Sequence, residues 1–237
     1  MKKAFLTAVL ASLMALSGCA PSMPEGYDTV RASKDKYETL DSARAIMTDL
    51  STGEQIMEFT FFINPKDEMV LSYYGKDGEN EMYAYSNGAE YFYKDSGDEL
   101  WSVISSSDEN YIYNIYNREY RYPYAEGGIF FLDGGSVESA EVTSNSDGSC
   151  VVEYSYNADK LNRSTKGILE GVESFSSLTT TFIIDPDGFI TEFTEKGTVT
   201  DTEGLTQDVN MSIKIDMMNE VYDIPYPVDR LDKSGEN

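Results

Sequence analysis

The stretch YAYSNGAEYFYKDSGDELW, residues 83–101, places four tyrosines, a phenylalanine and a tryptophan around two turn signals. Asn87-Gly88 between two aromatic runs is the strongest of the short hairpin signals, because a type I′ turn needs positive φ at both central residues and Asn and Gly tolerate it. The segment predicts a β-hairpin over residues 82–93. A two-residue loop sets Tyr85 against Glu90, Ala84 against Tyr91, Tyr83 against Phe92 and Met82 against Tyr93. Tyr83, Tyr85 and Phe92 then share one face, and Met82, Tyr91 and Tyr93 share the other. Both faces are apolar, so each must be covered, or a ligand must fill one.

Most of the chain is patterned in the same way. In EQIMEFTFFIN, Met57, Phe59, Phe61 and Ile63 alternate with Glu58 and Thr60, a period of two that reads as strand. SARAIMTDL precedes it and EMVLSYYG follows; after the hairpin comes LWSVIS. Asp147-Gly148 predicts a second hairpin between SVESAEVTS and SCVVEYSYN, and Asp185 to Gly188 a third within LTTTFIIDPDGFITEFTEKG, with Pro186 presetting φ and Gly188 completing the turn. DVNMSIKIDMM closes the series, Val209, Met211, Ile213, Ile215 and Met217 alternating with polar residues. Helical spacing is confined to Tyr27–Leu40 and part of 158–175, whereas 108–132 has no clean period and reads as short turns and loop. The expected fold is mainly β with short helices, in one domain.

The first residues, MKKAFLTAVLASLMALSGCA, combine Lys2 and Lys3 with an apolar run from Ala4 to Leu16 and small residues before Cys19. The run is too short for a spanning helix of about 20 apolar residues and reads as a secretory signal. Leu16-Ser17-Gly18-Cys19 resembles the bacterial lipobox, in which a peptidase cuts before a cysteine that carries a diacylglyceryl group. The division expected is a signal peptide at 1–18, a tether at 19–26, a folded domain at 27–228 and a tail at 229–237. Removing 18 of 237 residues leaves 219, and losing Lys2 and Lys3 takes the formal charge from −24 to −26. Nucleic acid, which needs a basic footprint, is excluded as a partner. Attraction of the protein surface to anionic lipid is disfavoured as well, so membrane residence rests on acyl chains at Cys19. The location implied is the cell membrane or outer membrane, with the domain outside the cytoplasm.

With Cys19 acylated, Cys150 is left without an intrachain partner, and its alternating position in a strand reads as a small buried hydrophobe. The chain has no histidine. That removes Ser-His-Asp and Cys-His catalysis, His-containing zinc sites and imidazole switches. The 42 acidic residues invite a two-carboxylate glycosidase reading, but Asp95, Asp98, Glu99 and Asp108 sit in turns and solvent faces. No Asp-x-Asp-x-Asp-Gly calcium loop occurs, and NRSTKG at 162–167 lacks the glycine-rich start of a phosphate loop. A non-enzymatic protein without metal or cofactor is expected.

The order of these elements resembles the LolA-like lipoprotein carriers. NPKDEMVLSYYGKDGENEMYAYSNGAEYFYKDSGDELW is similar to that family's succession of Pro-initiated strand, turn, strand, Asn/Asp-Gly, aromatic strand and Trp; IDPDGFITEFTEKG is similar to its later strand pair, and VYDIPYP to its ending. The resemblance spans residues 27–228. It implies a curved antiparallel sheet forming an incomplete barrel, helical segments plugging its concave face, and an acyl chain or other hydrophobic ligand bound there. The soluble carriers are not lipidated, so a tethered member fits local transfer or storage better than shuttling.

On this reading the candidate cavity residues are Phe59, Phe61, Tyr83, Phe92, Val152, Tyr154, Met211, Ile213 and Ile215. The candidate plug is Ile129, Phe130, Phe131 and Leu132 behind Gly127-Gly128, whose glycines supply hinge freedom. The competing assignment makes 129–132 fixed core and the glycines a tight turn. The competing function is an interaction module that offers its tyrosine-rich sheet face to a protein or glycan.

Overall fold

The computed structural model describes residues 23–66, 68–105, 130–166 and 172–227. Among these residues eleven strands form one sheet: β1 (Ser42–Asp49), β2 (Glu54–Ile63), β3 (Met69–Asp77), β4 (Asn80–Ser86), β5 (Glu90–Asp95), β6 (Ser102–Ser105), β7 (Val137–Ser144), β8 (Cys150–Tyr156), β9 (Val172–Ile184), β10 (Ile190–Asp201) and β11 (Thr206–Asp216). Their order is β6-β5-β4-β3-β2-β1-β11-β10-β9-β8-β7, every pair antiparallel. Two meanders of hairpins are thus joined where the first strand meets the last, and the sheet ends at β6 and β7 without closing. The mainly-β, open-sheet expectation holds, with α1 (Tyr27–Lys36) and α2 (Ala158–Thr165) as its helices among the described residues.

α1 carries Asp28 in its first turn and Lys34 and Lys36 in its last, charges that suit the helix dipole, and it buries Val30 and Ser33. A 3-10 turn at Tyr37–Thr39 continues it, and the buried Tyr37 hydroxyl donates to the Ile190 carbonyl. α2 is capped by Asn157, whose side chain accepts from the Lys160 amide at 3.0 Å. Asn162 then ties the helix to β9 through the Phe175 amide at 2.7 Å and its carbonyl at 2.9 Å. α1 packs against β9 and β10, and α2 against β9.

The hairpin at Asn87 forms with a slipped register. Tyr85 pairs with Phe92, Ala84 with Tyr93 and Tyr83 with Lys94, in place of the expected Glu90, Tyr91 and Phe92. Asn87 takes the first position of the turn rather than its centre: its amide donates to the Glu90 carbonyl at 3.2 Å, and its side chain accepts from Ala89 at 3.0 Å and Glu90 at 2.8 Å. Gly88 supplies the positive φ, 84°. Sliding the turn by one residue shifts the pairing by two, which preserves the side-chain faces.

Both faces of this hairpin are covered. Ala84 and Tyr91 join the main core, while Tyr85 and Phe92 form a second cluster with Val70, Val221 and Ile224. The chain after β11 turns back at Met217 and Asn219, both at positive φ, and is fastened to the start of β1 by Asn219 N–H to the Ser42 carbonyl at 2.8 Å and Val221 N–H to Ser42 Oγ at 3.0 Å. Residues 221–227 then lie under the outer face of β3–β5. Among the described residues no helix is long and apolar enough to cross a membrane.

Candidate functional site

The inner face is the side of the sheet against which the helices pack. Register places Phe61 beside Ala43 and Leu71, and Phe59 beside Ala45 and Tyr73, which in turn meets Ala84. On the other meander Val152 meets Phe182, which meets Phe193, which meets Ile213. Ile213 faces Met47, and Ile215 faces Ala45. One apolar surface therefore runs from β4 through the β1–β11 junction to β8. Of the expected cavity residues, Phe59, Phe61, Val152, Tyr154, Ile213 and Ile215 are brought together here and buried, and Met211 lies further along the same face, half-buried.

Tyr83 and Phe92 are not on this face. Tyr83 pairs with Tyr74, and Phe92 pairs with Tyr85 and Val103, all on the outer side under the C-terminal segment. Alternation separates the two ring sets, but the set expected inward with Phe59 and Phe61, that of Tyr83 and Phe92, is the outer one. The strand pairing Tyr73–Ala84 shows that Ala84, not Tyr83, continues the inner surface.

Phe130, Phe131 and Leu132 lie on the inner face. The Phe130 ring meets Tyr37 at 4.9 Å and Phe193 at 5.8 Å, and its carbonyl accepts from the Lys34 ammonium. Phe131 meets Tyr156 at 5.7 Å. Phe130 is buried, whereas Phe131 and Leu132 are half-buried. Gly127, Gly128 and Ile129 lie outside the described residues, as does Cys19. Cys150 is half-buried beside Val151, and burial pushes its thiol up, away from the reactive thiolate.

Sequence reasoning missed Glu195. Tyr154, Thr180, Glu195 and Met211 form a row across β8–β11 on the inner face. The Tyr156 hydroxyl reaches Thr180 Oγ1 at 3.2 Å, and Glu195 makes no hydrogen bond or ion pair among the described residues. Burial pushes the Glu195 carboxyl up to about 7. The signal was legible: Phe193 and Glu195 are two apart in a strand, so one inward implies the other inward.

This carboxyl makes stability pH-dependent. Between about pH 4.5 and pH 7 the folded state keeps a proton that the unfolded chain has lost, so stability falls as pH rises through that window and is level above it. Glu195→Gln is expected to abolish this slope, matching wild type below pH 4.5 and exceeding it by about 3 kcal/mol at pH 8. Urea denaturation at the two pH values checks it, and parallel profiles for the two proteins would refute the placement.

No protein-family model and no curated protein matches the sequence. Among solved structures, the chain is similar to the crystal structure of LprF from Mycobacterium bovis, with 15% identity and a TM-score of 0.46 over 87% of this chain and 99% of that one.

Proposed function

We propose that the protein is a lipid-anchored envelope protein, tethered through Cys19, that holds an acyl chain or lipid against the inner face of its open sheet. The observation that carries the reading is the continuous apolar inner surface that crosses both meanders from β4 to β8. Its buried members, Ala45, Phe59, Phe61 and Ile213 among them, are flanked by the half-buried Met47, Tyr73, Phe131 and Met211, which keep apolar area for a ligand to cover. A hydrophobic chain laid along that surface gains about 25 cal/mol for each Å² of apolar area it removes from water. The resemblance of the strand motifs to LolA-like carriers supports the same location. The role is binding, not catalysis, and the tether suits local transfer or storage.

Native mass spectrometry of the chain from residue 20 onward, purified without its anchor, tests the reading. A lipid-sized adduct released by organic solvent is expected, together with saturable, competable uptake of a fluorescent fatty acid. Absence of both counts against the ligand.

The anchor has its own test. Cys19→Ala is expected to remove all incorporation of a clickable fatty acid and to leave the precursor uncleaved. Undiminished labelling of the variant would sink the assignment.

A further inference from the structure

The C-terminal segment does not cover the whole outer face. Between Ile224–Pro227 and strands β3 and β4 lies an open groove of about 400 Å³. Tyr74 and Tyr83 line it as a tilted ring pair 5.3 Å apart, and Tyr85 meets Tyr226 edge-on at 5.6 Å; Trp101 forms a further wall. The phenol groups are tied back to carboxylates. Tyr74 and Tyr83 donate to the two oxygens of Glu81 at 3.2 and 2.9 Å, and Tyr226 donates to Glu90 at 2.8 Å. Ring faces, not hydroxyls, are therefore what these residues offer a ligand.

The charged side chain that lines the groove is acidic, and the nearest cations, Lys76 beside Tyr74 and Arg44 beside Glu58, are paired with Glu54 and Asp216. Glu58 lines the groove, and Glu81 and Glu90 stand behind its tyrosines, while none of the lining residues is Lys or Arg. Lys94, the register partner of Tyr83, donates to the Glu99 carbonyl at 3.4 Å. The chain as a whole carries −24. An aromatic face is negative at its centre and attracts a cation, most strongly one that sheds its water easily. A quaternary ammonium group has no N–H to satisfy and needs only ring faces and a counter-charge. An anion would meet Glu58, and a sugar would find the hydroxyl protons of Tyr74, Tyr83 and Tyr226 already donated to carboxylates.

We infer that this groove binds a small soluble quaternary ammonium compound, held on the faces of Tyr74, Tyr83 and Trp101 and charge-balanced by Glu58. The site is separate from the inner face, so it stands or falls independently of the lipid reading.

Trp101 is the chain's single tryptophan, so its fluorescence reports this groove alone. Titration of the anchor-free chain with choline is expected to give a saturable change. The neutral isostere 3,3-dimethylbutanol should bind at least tenfold more weakly. Glu58→Gln should weaken choline severalfold and leave the isostere unchanged; Tyr83→Ala should weaken choline, with thermal melts confirming that both variants are folded. Equal binding of the isostere would make the groove merely apolar and overturn the inference. So would silence toward choline in the folded wild type, a response to neutral sugars in its place, or a response to phosphatidylcholine vesicles without one to free choline.

Discussion

Ile213→Lys is expected to destabilise the fold by about 3–5 kcal/mol. Ile213 is buried in β11, the strand that joins the two meanders, and stands between Met47 and Phe193. An ammonium there loses its hydration without gaining a partner among its direct neighbours, so the lysine is driven toward its neutral form. Diagonal positions on a sheet face lie within reach of a long side chain, and Glu195, which pairs with Met211, is diagonal to Ile213. The carboxylate therefore offsets part of the penalty. Combining Ile213→Lys with Glu195→Gln should cost more than the two single changes together, because it removes that one acid. Guanidinium denaturation of the four proteins checks both statements. Wild-type stability of Ile213→Lys would mean that β11 turns its other face inward.

The strands and their faces were legible because period-two alternation is local. Met57, Phe59, Phe61 and Ile63 needed nothing beyond their own spacing, and the hairpins at Asp147-Gly148 and Asp185–Gly188 needed only turn chemistry. Pairing between distant strands was not legible. Nothing within SARAIMTDL or DVNMSIKIDMM says that Ala45 will face Ile215, since that contact spans most of the chain. The same limit explains Tyr83 and Phe92. Alternation divides a strand into two faces but does not say which is inside, and here the decision rests on Val221 and Ile224, in a segment without strand or helix period. VYDIPYP resembles a family ending in sequence, and its role as a cover follows only from the fold. The tyrosines of the outer groove belong to the same gap: their chemistry was visible, their neighbours were not.

Phe130 and Phe131 are expected to separate when each is cut back to alanine. Phe130 is buried between Tyr37 and Phe193, a site whose loss leaves a cavity bounded by two rings, and Phe130→Ala should cost about 3–5 kcal/mol. Phe131 keeps part of its surface open and among the described residues has one ring neighbour, Tyr156, so its truncation should cost about 1–2 kcal/mol and leave the domain folded. The two outcomes assign the segment a fixed end and an exchangeable end. A ligand entering over Phe131 replaces contacts that the ring gives up, so little net apolar area is lost in the exchange. One entering over Phe130 would have to break the Tyr37 and Phe193 contacts that hold α1 to β10. Phe131→Ala should accordingly change uptake of a fluorescent fatty acid severalfold while lowering the melting temperature by only about 2–8 °C. Equal, large destabilisation by both substitutions would make residues 130–132 one fixed piece of core. Unchanged uptake in a folded Phe131→Ala would remove the ring from the path of the ligand.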